Sequence, residues 1–577
     1  MNTAPSWAGS ASRRTAVPFR SLLDPASAVW MRLANSRIVA YLFFAAVYAW
    51  PTITLARRKL LWDDEFFTLY LSKTKTWHDL LQAMATGADQ HPPSFYYLTH
   101  LIFNLAGTTH LTLRLTAIVG FGAACMCLYE IVSRILNRPW GMAAMLLPLT
   151  SNLYFYASEG RGYGLEFGFV SFSVLMWMLV CEGKWRPLTT LLLAVGLCGA
   201  VGSHYYAGLV LIPLATGELV RTVVRRRVEL PVWFAFGGAF IPVVAFARTI
   251  LAATRYSGHF WARPHVLDFV GWYRATAGYS FLLPLAAFAL VILFQIPVSA
   301  LEFAIESPPR LWYGVTTLLI ALLPVFGVLI ALLVTHAYTE RYMIAAFLGV
   351  SILLILGIRR IIGSDALGPA FVCVFCLVFF FFQWRVLKAS QLEILKDVRD
   401  AAALLRRSGD LPIAMAEVTY FHRLSFYVRR DLARRLVYLA DPHLSNRYLG
   451  HDTIDRGLLD LNRWFPLNVV WWYDWVNGHP SFLVYGYIGG WTWLTFELPK
   501  VSDNVQLLER PDVARVLISV QDARVPADDR TPSDPPDEPI LYERLPNLEE
   551  PLCTFYMRDS CPVIDDPSAP RLPSQHR

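Results

Sequence analysis

IVAYLFFAAVYAWPTITLARRKLLWDDE, residues 38–65, decides how this chain must be read. Residues 38–56 carry no charge and match the roughly 20 residues that cross a bilayer as one helix. A basic triplet, Arg57-Arg58-Lys59, follows, and then three acids, Asp63, Asp64 and Glu65. No small-residue cleavage site follows the apolar run, so it reads as a retained signal anchor. The arginine-bearing segment 1–37 then lies in the cytoplasm, and Trp62-Asp63-Asp64-Glu65 emerges at the outer surface. Carboxylates held there can act as general base or metal ligand, or can simply open a solvated loop.

The same arithmetic repeats along the chain. Apolar runs lie near 112–135, 139–156, 163–182, 187–203, 205–222, 230–248, 280–298, 311–334, 341–358 and 366–383. With 38–56 this predicts about eleven transmembrane helices. The inner loops then hold Arg134 with Arg138, Lys184 with Arg186, Arg221 with Arg225–Arg227, Arg310, and Arg359 with Arg360, as the positive-inside rule requires. Arg57-Arg58-Lys59 is the exception. Residues 94–106 are too short for a crossing and would invert every later loop, so they read as an interfacial or re-entrant helix.

Composition agrees. Of 577 residues 55% are hydrophobic and only 16% charged, where a soluble domain carries about 25% charge. Mean hydropathy is +0.41. The net charge of +7 sits in the inner-loop clusters and gives no reason to expect a nucleic-acid partner. Six cysteines lie in apolar runs, while Cys553 and Cys561 lie in a polar tail, where a disulfide is an open alternative. Cys373 and Cys376 lie in an apolar run, so no CxxC pair or His/Cys cluster suggests a zinc site, and there is no internal repeat or glycine-rich phosphate motif.

An odd number of spans places 384–577 outside. Here 411–416, 435–440, 482–486 and 513–520 read as strands and 417–430 and 452–464 as amphipathic helices, a small α/β domain. Residues 526–539 are rich in Pro and acid and read as a flexible loop. The division is therefore a cytoplasmic 1–37, a transmembrane unit 38–383 with a large first outer loop 57–111, and an extracytoplasmic domain 384–577.

Polar residues collect at the outer ends of the spans. Asp89-Gln90-His91-Pro92-Pro93 leads into Phe95-Tyr96-Tyr97, a stripe that can line a groove or anchor at the interface. Glu159, Arg161 and Tyr163 stand in SEGRGYG, with Glu159 and Tyr163 on one helical face. His204-Tyr205-Tyr206 and His336…Glu340-Arg341-Tyr342 repeat the pattern. Arg341 can take a phosphate bidentately. Arg255, His259, Arg263 and His265, in the loop 249–279, either add positive charge beside a phosphate or form a solvated basic loop.

These motifs, in this order and on one side of the membrane, resemble the GT-C glycosyltransferases. The pattern is an acidic pair after the first span, D-x-HPP-x-x-YY, E-x-R-x-Y, and RY at a late span. The nearest group is the bacterial family 39-like enzymes, which include protein O-mannosyltransferases and the lipid A aminoarabinose transferase. The resemblance covers about 38–360. It implies an inverting, polyprenyl-phosphate-sugar-dependent enzyme of the bacterial inner membrane and cell envelope, acting on a lipid, glycan or protein acceptor at the periplasmic face. It places the base on Asp64, with Glu65 beside it, although Asp63 leaves that assignment ambiguous by one residue. It matches Arg161 and Arg341 to basic residues near the donor phosphate; Tyr342 stands next to Arg341, and the charge of Arg255 and Arg263, read from the loop itself, can add to that site. His91, Tyr96, Glu159, Tyr163, His204 and His336 are then expected to line the cavity. A divalent metal, on Asp64 if anywhere, is not required. The competing readings are a flippase for lipid-linked sugar and a surface-polysaccharide ligase or polymerase.

Overall fold

The computed structural model describes residues 29–293, 311–488, 492–526, 550–559, 561–562 and 564. The N-terminal segment to residue 28, Arg310 and most of the Pro-rich stretch 526–539 lie outside the described residues.

The protein is mainly helical. Among the described residues six helices are long and apolar enough to cross a membrane: Arg37–Arg58, His110–Ile135, Tyr163–Cys181, Arg186–Ser203, Tyr205–Arg225 and Leu367–Arg407. Three further pairs are bent by 63°, 94° and 51° at short breaks, which gives nine spans if each pair is one. Among the described residues the expected count of about eleven is not reached. Residues 139–156 are not one helix but Arg138–Ala144 followed by the 3-10 turns Leu147–Thr150 and Asn152–Ser158. Pro148 lacks an amide hydrogen, and Thr150 and Ser151 turn their hydroxyls back onto Leu147 and Pro148 carbonyls, so local bonds replace the α-ladder. Ala346–Ile362, at 17 residues, is about 26 Å long. Pro93–Ala106, at 14 residues, is about 21 Å long.

Small residues let the central helices touch. A Cβ on Gly164 would lie 2.6 Å from the Ala117 carbonyl oxygen, and one on Gly168 2.5 Å from that of Gly120. His110–Ile135 and Tyr163–Cys181 therefore pack backbone to backbone, as small residues permit in lipid. This contact brings the SEGRGYG turn beside the first outer loop.

Leu367–Arg407 runs straight through the expected domain boundary at 383/384. Its 41 residues extend about 60 Å, twice the length of a membrane crossing, and lead directly into the α/β domain. That domain holds a six-stranded sheet in the order β3-β2-β1-β4-β6-β5. The strands are β1 Ile413–Met415, β2 Leu436–Ala440, β3 Val469–Trp471, β4 Phe482–Tyr487, β5 Asn504–Glu509 and β6 Arg515–Gln521. β1 to β4 are parallel, and β6 lies between β4 and β5 and is antiparallel to both. β3 and β5 escape the sequence reading: one is three residues long, and the other is an edge strand with almost every side chain exposed.

Side-chain alternation divides β1 and β2 between two cores. Ala414, Val437 and Leu439 join Trp472 and Val484 on one face. Ile413, Met415, Leu436 and Tyr438 pack on the other with Leu61, Phe66, Leu69 and Tyr70 of the first outer loop. The α/β domain and the first loop thus share one hydrophobic core, which holds both against the same cavity.

Candidate functional site

The helix Asp63–Ser72 begins with three consecutive acids. Negative charge at a helix N-terminus is favourable. Successive helical residues point about 100° apart, so the three carboxylates meet different partners. Asp63 accepts from Thr419 Oγ1 at 2.6 Å and lies 3.2 Å from His422 Nδ1, both in the α/β domain. Asp64 faces the cavity, with Oδ2 3.1 Å from an Arg341 terminal nitrogen and 3.9 Å from Arg161 Nε. Glu65 turns inward to Arg114, which donates to both its oxygens at 2.6 Å. The Gly160 amide donates to Glu65 at 2.7 Å, where a side chain on Gly160 would collide with Leu113.

Electrostatics follows this geometry. Burial alone would raise the Asp63 carboxyl, but His422 and Thr419 hold it below its usual range. Burial opposes ionisation of Glu65 too, yet the Arg114 charge brings it down to about 2.

Arg161 is fixed by donation to Asp89 at 2.9 Å, Tyr96 at 3.2 Å and the Asp64 carbonyl at 3.2 Å. It also donates to His91 Nδ1 at 2.8 Å, so that nitrogen is the acceptor and the ring proton sits on Nε2. Burial first, and the Arg161 charge second, lower the His91 pKa. Burial would raise Asp89, but Arg161 and His91 keep it well below its ordinary value. Arg341 is held differently, between the rings of Trp62, Tyr163 and Trp261, with centroids 5.6–5.8 Å away.

These residues line a cavity of about 390 Å³, a size suited to a small ligand. The membrane unit supplies Trp62, Asp63, Asp64, Asp89, His91, Arg161, Tyr163, Arg341 and Tyr342. The α/β domain supplies Glu417, Thr419 and His422 beside β1, and Thr453 and Ile454. Glu417–Thr419 follow the carboxyl end of β1, between β2 and β4, the switch point where open α/β sheets form crevices.

The structure does not bring every expected residue to this wall. Glu65 is fully buried against Arg114 and does not reach the cavity. Tyr96 and His204 stand one layer behind: Tyr96 supports Arg161, and His204 packs on Tyr342 and His91. Glu159 also stands behind, accepting the Trp62 indole proton at 2.9 Å. Arg263 is exposed and donates to the Gly450 carbonyl, and Arg255 is exposed on a 3-10 turn. Their neighbours Phe260 and Trp261 enter the cavity instead. His336 is exposed at the left-handed end of a π-helical turn, its amide bonded to Ala331. Phe260, Trp261, Glu417, Thr419, His422 and Thr453 carry no motif that points to the site. Only the aromatic pair amid a basic loop offers a signal.

Among the described residues no three His, Cys, Asp or Glu side chains are grouped to hold a metal ion. Asp64 faces two guanidinium groups, a setting that suits an anion and opposes a cation. Cys553 and Cys561 form a disulfide with Cα atoms 5.9 Å apart.

Residues 90–250 match the family described as dolichyl-phosphate-mannose-protein mannosyltransferase. No curated protein sequence matches the chain. Among solved structures, ArnT from Cupriavidus metallidurans in the apo state superposes with a TM-score of 0.51 at 13% identity, covering 86% of this chain and 98% of that one. The same ArnT bound to undecaprenyl phosphate gives 0.51 at 12% identity, covering 83% and 97%. The chain therefore has the GT-C membrane fold of ArnT and resembles the ArnT and protein-mannosyltransferase group.

Proposed function

We propose that this protein is a glycosyltransferase that takes a sugar from a polyprenyl-phosphate donor and passes it to an acceptor at the outer face of the bacterial inner membrane. One observation carries the reading. Asp64 Oδ2 and the Nε atoms of Arg161 and Arg341 are buried without a hydrogen-bond partner and converge on one cavity. Two cations and a carboxylate on a shared cavity wall suit a phosphate leaving group and a base. The undecaprenyl phosphate in the ArnT complex supports a lipid phosphate as the anion.

In this reading the acceptor O–H or N–H loses its proton to Asp64. The acceptor atom attacks the anomeric carbon from the face opposite the phosphate, so the configuration inverts. The bond from that carbon to the phosphate oxygen breaks, and polyprenyl phosphate leaves against Arg161 and Arg341. Asp89, His91 and Tyr96 hold Arg161 rigid, and the rings of Trp62, Tyr163 and Trp261 hold Arg341. The α/β domain walls the acceptor side through Glu417, Thr419 and Thr453.

Purified protein with a native lipid extract tests this by mass spectrometry of a glycosylated product. Asp64→Asn is expected to lower turnover about 10²–10⁴-fold while unfolding at the wild-type temperature. Near-normal turnover would remove Asp64 from the base role. A product carrying a whole glycan would favour the ligase or polymerase reading.

A further inference from the structure

We propose that Asp64 and the donor phosphate compete for the same two arginines, so that phosphate binding itself frees the base. The inference rests on the reading of Arg161 and Arg341 as the phosphate site. Arg161 spends its terminal nitrogens on Asp89, Tyr96, His91 and the Asp64 carbonyl. Its Nε remains without a hydrogen-bond partner and faces Asp64 Oδ2 at 3.9 Å. Arg341 pairs with the same oxygen at 3.1 Å, and its own Nε also lacks a hydrogen-bond partner. Three rings surround Arg341, so it cannot swing away to meet a phosphate elsewhere. A phosphate that reaches the unused arginine donors must therefore lie close to the Asp64 carboxylate.

Two anions drawn to the same cations in a partly desolvated cavity oppose each other. The opposition is reciprocal: the carboxylate weakens phosphate binding, and bound phosphate makes the carboxylate a stronger base. Before the donor arrives, Arg341 is the ion-pair partner of Asp64 at 3.1 Å. Once the phosphate shares Arg341, Asp64 is released to take the proton of the acceptor.

The charges balance through the transfer. The donor is a phosphodiester with one negative charge, and Asp64 carries another. As the acceptor proton moves to Asp64, the sugar–oxygen bond breaks and its electron pair stays on the leaving phosphate. Asp64 becomes neutral and the phosphate gains the second charge. Two guanidinium groups thus face two negative charges before and after the step, and the charge passes from carboxylate to phosphate. The ordering follows: donor binds first, acceptor second.

The test is the affinity of the full-length protein in detergent for undecaprenyl phosphate, by titration calorimetry. Asp64→Asn is expected to bind at least about tenfold more tightly than wild type, although it removes a residue from the site. Asp64→Ser serves as a second neutral variant should Asp64→Asn fail to fold. Glu340→Gln, which neutralises an exposed carboxylate beside Arg341 in sequence but outside the cavity wall, is expected to stay within about twofold of wild type. Equal or weaker binding by both Asp64 variants would overturn the competition. So would equal tightening by Glu340→Gln, since that reports only diffuse negative charge. Absence of binding by wild type would instead overturn the phosphate site on which the proposal rests.

Discussion

Glu65→Gln separates an anchoring carboxylate from a reacting one. Glu65 and Arg114 are both fully buried. Arg114 also donates to the Ala56, Lys59 and Leu60 carbonyls at 2.5, 3.0 and 3.2 Å, so it gathers the end of the first membrane helix onto the loop that carries Asp64. Neutralising Glu65 leaves a buried guanidinium without its counterion, a loss of roughly 3–5 kcal/mol. The titration of Glu65 gives a separate figure. Its pKa falls from 4.5 to about 2, and a depression of that size corresponds to about 3 kcal/mol. The folded-state value is the lower one, so this stabilisation is complete above about pH 4.5 and is lost as pH falls toward 2. Thermal unfolding in detergent, followed by tryptophan fluorescence at pH 7 and at pH 3, reads both the size and the sign. At pH 7 the variant is expected to melt several degrees below wild type, and the gap to narrow at pH 3. Sugar transfer per folded molecule is expected to survive. An unchanged melting temperature together with abolished transfer would refute the anchoring argument and return Glu65 to the chemistry.

Glu159 behaves oppositely. Burial raises it to about 7, against the Lys59 charge, so the fold gives up stability as pH rises from about 4.5 to 7. Glu159→Gln keeps an acceptor for Trp62 and is expected to melt above wild type at pH 8 but not at pH 4.5; a gap independent of pH would count against this. Cys553→Ser opens a short disulfide loop whose neighbouring residues Arg558 and Asp559 bond Thr108 and His110. It is expected to cost about 2.5 kcal/mol, with reductant destabilising wild type but not the variant in the same melting assay. Arg341→Lys keeps the charge but not the plane that fits between three rings. Donor KM in a transfer assay is expected to rise about tenfold, and an unchanged KM would remove Arg341 from the phosphate site.

Much of the membrane unit was legible because hydropathy is a local property. The runs 38–56, 112–135, 163–182, 187–203 and 205–222 each became a helix long enough to cross. The run 139–156 did not, because apolar composition cannot distinguish a spanning helix from a buried, broken segment whose Pro148 and hydroxyls bond locally. In the α/β domain, short apolar runs located β1, β2, β4 and β6 but missed β3, only three residues long, and β5, whose side chains are almost all exposed. Arg161, Arg341, His91 and Tyr163 were legible as site candidates because polar residues at the ends of apolar runs are costly and therefore noticeable. Arg255, Arg263 and His336 were noticeable for the same reason, yet an exposed position satisfies them with water or a nearby carbonyl.

Local pattern is enough to make this chain a helical membrane protein with a small α/β domain. It is also enough to gather acid, arginine and aromatic side chains at helix ends. Those properties depend on composition and on neighbours a few residues away. What each acid of Trp62-Asp63-Asp64-Glu65 does is settled instead by contacts across the fold. Successive side chains on one helical turn point in different directions, and their partners come from far along the chain: Thr419 is 356 positions from Asp63, and Arg114 is 49 from Glu65. Asp64 is left to face Arg161 because the close packing of Gly120, Gly164 and Gly168 brings the SEGRGYG turn beside the loop that carries it, and Arg341 joins them from the 3-10 turn Glu340–Met343, far along the chain.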